Sequence, residues 1–356
     1  MLTHGGDLAG YLEEYGRMPL DFSANVSPLG LPERVRQAAV ASLSHAGEYP
    51  DPLCRALRRA IAAQEGCSPE QVLCGAGAAE LIFRLAFAVQ PRTALVPAPT
   101  FAEYESALRQ TGCRVLRHTL RAAEEFRLTG RILGDLDAGP ELVFLCQPNN
   151  PTGQPADRSL ALEILRRCEQ AGALLVMDEC FADLLDEPGA FTLKPWLDSP
   201  NLLILKAFTK TYAMAGLRLG YCLCSNRALL DRMAACGQPW SVSGPAQAAG
   251  IAALGETAYL DTLRQLIRTE RPRLIAGLER LGCTVTGSRA NYVFFAARPG
   301  LDGALRRRGI LIRSCSNYPG LDSRYYRAAV RTAADNNTLL AAVGQCLEEL
   351  SWQNPS

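Results

Sequence analysis

Ala173-Leu174-Leu175-Val176-Met177-Asp178-Glu179 runs apolar residues straight into two carboxylates. So short and unbroken an apolar run reads as a buried strand, not an amphipathic helix. A carboxylate at the end of a buried strand is costly unless something charged meets it there. Working outward, short β-branched or apolar runs recur at 71–74, 93–96, 114–119, 142–146, 202–206 and 220–224. Helical stretches at 79–89, 102–111 and 158–171 separate these runs. Strand alternating with helix predicts an α/β fold, a mostly parallel sheet with helices on both faces.

Parallel sheets place ligands outside the carboxyl ends of their strands. Gly75, Asn149-Asn150, Asp178 and Thr209-Lys210 all fall at or just after such ends. Lys210 lies in Phe208-Thr209-Lys210-Thr211-Tyr212, with a hydroxyl on each side and Arg218 eight residues on. The chain has only three lysines (Lys194, Lys206 and Lys210) among 37 basic residues, so a reactive amine has few places to be. An amine that condenses with an aldehyde, an acid for a pyridinium nitrogen, and hydroxyl and guanidinium groups for a phosphate are what pyridoxal 5'-phosphate requires of a protein. Asp178 is the acid in this reading, and Thr209, Lys210 and Arg218 supply the rest.

Other motifs fit the same cofactor. Gly75-Ala76-Gly77-Ala78-Ala79-Glu80 follows a strand and opens a helix, so Gly77, Ala78 and Ala79 can bring backbone N–H groups to a phosphate. Alone, the segment is equally a plain strand-to-helix turn. In Pro148-Asn149-Asn150-Pro151-Thr152-Gly153 two prolines flank an asparagine pair, and Asn150 is placed to donate to the cofactor's phenolic oxygen. Phe101, opening a helix, can lay its ring on the cofactor face.

The rest of the chain sets the context. At 356 residues it can bury a large core, and its 48% apolar and 21% charged residues are those of a globular protein. A formal net charge of +1 gives no reason to expect nucleic acid or an anionic membrane as partner. No segment approaches a membrane span, and the start lacks the order of a signal peptide. The 13 cysteines are widely spaced without a C-x-x-C, which predicts reduced thiols in a cytoplasmic enzyme. Three histidines, dispersed at His4, His45 and His118, predict no metal site. Residues 1–32 read as an extended arm, with helices opening at Pro32 and spanning 53–65. After 240 come a long helix over 244–281 interrupted near Gly255 and Pro272, strands at 283–286, 292–296 and 310–313, and a final helix at 335–351. The expected division is 1–41 as arm and part of a smaller domain, 42–240 as a large domain, and 241–356 as the remainder of a smaller α+β domain.

In order and spacing, the Gly-x-Gly turn, Pro-Asn-Asn-Pro-Thr-Gly, Asp178-Glu179, Lys210 and Arg218 resemble the fold-type I aminotransferase superfamily, near its histidinol-phosphate aminotransferase branch. His4-Gly5-Gly6-Asp7, Ser23-Ala24-Asn25-Val26-Ser27-Pro28 and the segment from Ile310 through Ser316-Asn317-Tyr318-Pro319-Gly320 to Arg331 resemble the L-threonine-O-3-phosphate decarboxylases within it. That resemblance implies a large domain with a mostly parallel seven-stranded sheet, a smaller α+β domain and a homodimer with shared active sites. It also implies decarboxylation of a small phosphorylated amino acid, phosphothreonine, to the aminopropanol phosphate linker of cobalamin. It further implies that Arg331 grips the substrate carboxylate, that Arg313 and His4 lie near the substrate phosphate, and that Asn25 and Asn150 contact substrate. Tyr49 would reach the cofactor phosphate of the neighbouring subunit. Phe181 stands where many aminotransferases carry a tyrosine, which leans towards decarboxylation. Ala76 and Ala79 replace the family's asparagine and threonine in the glycine turn, leaving only backbone contacts there. The alternative is a histidinol-phosphate-type aminotransferase using 2-oxoglutarate.

Overall fold

The structure, a computed structural model, describes residues 4–353, the last three by backbone only. Seven strands form the central sheet: β1 (Val72–Gly75), β2 (Thr93–Ala98), β3 (Arg114–Thr119), β4 (Leu142–Cys146), β5 (Leu174–Asp178), β6 (Leu202–Ala207) and β7 (Gly220–Leu223). Their spatial order is β1-β7-β6-β5-β4-β2-β3, and β7 alone runs antiparallel to its neighbours. β4 and β5 are buried at every position, which explains their unbroken apolar sequence: helices cover both faces. One face packs Leu145, Leu175, Met177 and Ile204 against helices Arg55–Glu65 and Arg158–Ala171, and the other packs Phe144, Val176 and Leu205 against Ala78–Val89 and Ala102–Gln110. Helix Gly244–Leu254 adds Ala246, Ala249 and Ala253 to the first of these layers.

A second core gathers Phe22, Leu274, Leu278, Phe295, Tyr326 and Val343 around a four-stranded antiparallel sheet. Its strands, in spatial order, are Arg313–Ser314, Tyr325–Ala329, Tyr292–Ala296 and Thr284–Thr286.

Three expectations need correction. The arm is not extended throughout: Leu8–Tyr15 is a helix, with Asp7 capping the Gly10 N–H and left-handed Gly16 closing it. Only Tyr11 of that helix is buried, so its apolar stripe is faint in sequence. Pro272 does not interrupt its helix, which runs unbroken over Thr257–Arg280. Leu263 and Ile267 before the proline and Leu274 and Leu278 after it are all buried, and this packing outweighs one lost hydrogen bond. The strand expected over 310–313 is two: Ile310–Leu311 pairs in parallel with Leu20–Asp21, and Arg313–Ser314 pairs with Tyr325–Ala329. Tyr325–Ala329 itself was not anticipated as a strand.

Candidate active site

The carboxyl ends of β4, β5 and β6 and the turn after β1 converge on a cavity of about 440 Å³. Lys210 enters it from the short helix Phe208–Thr211 that follows β6. Burial depresses the Lys210 amine to about 8, and the nearby Arg327 and Arg218 guanidinium groups push the same way. The Phe181 ring centroid lies 6.0 Å from Nζ. The backbone N–H of Ser27 donates to the Lys210 carbonyl at 2.9 Å, which ties the N-terminal arm to the lysine turn.

Asp178 ends β5 inside the same cavity and is 4% exposed. Its Oδ2 accepts from the Tyr104 hydroxyl at 2.6 Å, and its Oδ1 accepts from the Cys180 N–H at 3.0 Å. Burial first, and then the Asp178 charge, hold the Tyr104 hydroxyl well above the usual phenol range, so it stays a donor. No ion pair among the described residues includes Asp178, Lys210 or Arg218, although all three line the cavity. A buried acid, a buried amine and a guanidinium left without counter-charges fit a group that carries a pyridinium, an aldehyde and a phosphate.

The glycine turn supplies the phosphate end of that fit. Gly77 has φ +91°, and a Cβ there would come within 2.7 Å of Arg218 Nη2, so glycine is required both for the turn and for the approach of the arginine. Ala78 and Ala79, the first residues of helix Ala78–Val89, line the cavity with Thr209 and Arg218. The Ala76 N–H is not free for a ligand, since Glu80 Oε2 accepts it at 2.6 Å.

The asparagine pair divides its labour. Asn149 is structural: it accepts from the Thr100 hydroxyl at 2.7 Å, donates to the Pro99 carbonyl at 3.0 Å, and its own carbonyl accepts from the Tyr292 hydroxyl at 2.8 Å. Asn150 faces the cavity and accepts from Arg327 through its side-chain oxygen. Phe101 lines the wall as the cap residue of helix Ala102–Gln110.

The polar rim comes from the arm and the smaller sheet. Asn25 is 2% exposed, lines the cavity, and has neither side-chain atom hydrogen-bonded. A buried amide so placed is ready for a ligand. His4 and Arg313 also line the cavity. Arg331 does not. Its Nε lies 3.1 Å from Asp335 Oδ2, its Nη1 donates to the Asp21 carbonyl, and its guanidinium sits over the Phe22 ring. The residue that enters the cavity is Arg327, which also donates to the Ser23 carbonyl at 2.7 Å. Strand periodicity was the signal: Tyr326, Ala328 and Val330 face the second core, so Arg327 must face the other way, while Arg331 lies beyond the strand end at Ala329. Glu103, Cys146 and Cys180 also line the cavity and were not foreseen. Tyr49 lies outside the cavity, 81% exposed and stacked on Trp240 at 4.5 Å between ring centroids.

Residues 17–343 match the family model described as aminotransferase class I and II. The chain is 40% identical over 354 residues to the threonine-phosphate decarboxylase of Salmonella typhimurium, covering 97% of this chain and 96% of that protein. Among solved structures, it is similar to the L-threonine-O-3-phosphate decarboxylase of Porphyromonas gingivalis, with a TM-score of 0.82, 25% identity, and 92% and 99% of the two chains covered. It is also similar to the histidinol-phosphate aminotransferase of Clostridium acetobutylicum, with a TM-score of 0.86, 27% identity, and 93% and 99% covered.

Proposed function

The chain belongs to the class I and II aminotransferase family, and from that premise we propose that it is a pyridoxal-phosphate-dependent decarboxylase of L-threonine O-3-phosphate. The product is (R)-1-amino-2-propanol O-phosphate, the linker in the nucleotide loop of cobalamin. The bound cofactor supplies the electron sink that accepts the pair left when CO2 departs. Lys210 provides the amine that holds it and the proton carrier beside the substrate Cα. Asp178 would hold its ring nitrogen protonated. The N–H groups of Ala78 and Ala79, with Thr209 and Arg218, would receive its phosphate.

One observation carries the choice of substrate. Arg313 and Arg327 are direct partners across adjacent antiparallel strands, and both side chains line the cavity. Two guanidinium groups side by side suit a small amino acid with two anionic ends. We assign Arg327, backed by Asn25 and Asn150, to the carboxylate, and Arg313 with His4 to the phosphate. Held at both ends, the substrate cannot turn about its Cα, and that orientation decides which Cα bond breaks. Phe181 keeps the wall beside Lys210 free of a competing hydroxyl.

The enzyme acts as a homodimer in this reading. Val40, Leu43, Tyr49, Leu53, Trp240 and Ile251 are exposed large apolar residues, more than scattered surface residues need. In this dimer the exposed Tyr49 would reach the partner's cofactor phosphate. Mixing Lys210→Ala protein with Tyr49→Ala protein then yields more activity than either alone, because one site of the mixed dimer recovers both residues. A single active chain on light scattering contradicts it. We place the enzyme in the cytoplasm, where its cysteines, all free thiols among the described residues, stay reduced.

The deciding assay offers phosphothreonine, phosphoserine and histidinol phosphate with and without 2-oxoglutarate, following CO2 and amine product. Release of CO2 without 2-oxoglutarate supports the decarboxylase. Turnover of histidinol phosphate that requires 2-oxoglutarate, with no CO2 from either phosphoamino acid, supports the aminotransferase instead.

A further inference from the structure

The arm bearing His4 is fastened across the cavity mouth at separate points. A Cβ on Gly5 would come within 2.4 Å of the Ser23 carbonyl oxygen, so the strap lies directly on Ser23 and only glycine fits. The Gly6 N–H donates to Ser23 Oγ at 2.7 Å, and that hydroxyl donates to Asp21 Oδ1 at 2.6 Å. On the opposite wall, His4 Nε2 lies 2.6 Å from Glu103 Oε1, and the His4 ring sits 5.8 Å from the Phe101 ring. Glu103 is in the first turn of helix Ala102–Gln110 and itself lines the cavity.

A carboxylate beside a pocket for a phosphorylated substrate is out of place electrostatically unless something cationic stands between the two anions. We propose that Glu103 is a positioning residue for phosphate recognition. It holds His4 by Nε2, so that Nδ1 is the ring nitrogen left to the substrate phosphate, and it latches the strap over the bound molecule. One ring nitrogen fixed by a carboxylate commits the other to the ligand, and the imidazole then bridges two anions. The proposal rests on the phosphoamino-acid reading above and adds to it the residue that orients His4 and closes the site.

The test compares Glu103→Ala and Glu103→Gln with the wild-type holoenzyme on phosphothreonine and on unphosphorylated threonine. In Glu103→Ala, kcat/KM for phosphothreonine falls roughly ten- to a hundredfold relative to that for threonine, as expected for a lost charge-assisted hydrogen bond, and mainly through KM. Glu103→Gln, which keeps an oxygen acceptor for Nε2, restores part of the ratio. An equal loss on both substrates, or no loss, overturns the proposal, the first because it marks a merely structural role beside Phe101. If the wild-type enzyme releases no CO2 from phosphothreonine, the decarboxylase reading fails separately. Glu103 is then read on histidinol phosphate with 2-oxoglutarate, where a KM raised in Glu103→Ala supports the latch and an unchanged KM overturns it.

Discussion

Lys206 is the penultimate residue of strand β6 and Lys210 sits in the helix that follows it, yet the two side chains live in opposite surroundings. Burial works against the charge of both. Around Lys206 the protein has collected anions: Nζ lies 3.0 Å from Glu65 Oε1 and 3.2 Å from Asp183 Oδ1. Asp183, Tyr221 and Glu65 outweigh burial and raise the Lys206 amine well above its ordinary range. Glu65 responds in kind: burial alone would raise its carboxyl, but Lys206, the Tyr221 hydroxyl and Lys194 hold it low. Around Lys210 there is no carboxylate partner among the described residues; Arg327 and Arg218 add to burial and bring the amine to about 8. Burial alone therefore does not make a lysine reactive. The sign of the neighbouring charge decides which of two buried amines is a nucleophile and which is a structural cation.

Replacing each lysine breaks the comparison most severely. Lys210→Ala should lower kcat by roughly four orders of magnitude or more, as removal of an essential catalytic group does. Lys206→Ala should leave the protein able to attach the cofactor but cost about 3 kcal/mol of stability in urea unfolding, because Glu65 loses one partner of a buried pair. Lys194, 3.1 Å from Glu65 Oε2, keeps that cost at the low end. A neutral result for Lys206→Ala would show that the ion cluster is not structural.

The two arginines at the other side of the cavity sharpen the contrast. Arg327→Ala should cost one to two decades in kcat/KM, on the order of 1.5–3 kcal/mol. Arg331→Ala should cost less than about threefold, since its guanidinium is engaged by Asp335 outside the cavity. Steady-state kinetics with phosphothreonine distinguishes the two, and the reverse ranking restores Arg331 to the site.

Acidity gives the smallest effect. With the Lys210 amine near 8, the rate of cofactor attachment to apoprotein should rise about tenfold per pH unit below that value and level off above it, followed by absorbance. The stability consequences run in opposite directions. The folded value for Lys210 lies below its usual 10.5, so between about pH 8 and 10.5 the unfolded chain binds the extra proton and this residue's contribution rises with pH. The folded value for Lys206 lies above 10.5, so its contribution is fully present below that pH and is lost as pH climbs through the raised value.

The cofactor side of the cavity was legible in the sequence because it is local. Apolar runs mark buried strands, and the polar residues at or just after their carboxyl ends gather at that edge of the sheet, as Asp178 at the end of β5 and Lys210 in the helix after β6 do. The bounds of β4 and β5 follow from composition for the same reason. The substrate side is assembled from segments far apart in the chain: His4, Asn25, Glu103, Arg313 and Arg327 meet only after both sheets have formed. Resemblance placed the carboxylate grip on Arg331, whereas the arginine that lines the cavity is Arg327. The difference turns on a strand whose five residues include small alanines and two tyrosines, and so show only weak alternation. Glu103 escaped notice because an acid in the first turn of a helix is ordinary for helix stability. Its partner His4 lies 99 residues away.

Which lysine carries the cofactor can be measured directly. Wild-type protein loaded with pyridoxal phosphate, reduced with borohydride and digested, reports this by peptide mass mapping. The reduced label is expected on Lys210 alone, with Lys206→Ala protein labelled at the same position. Label on Lys206 or Lys194, or its persistence in Lys210→Ala protein, would contradict this assignment.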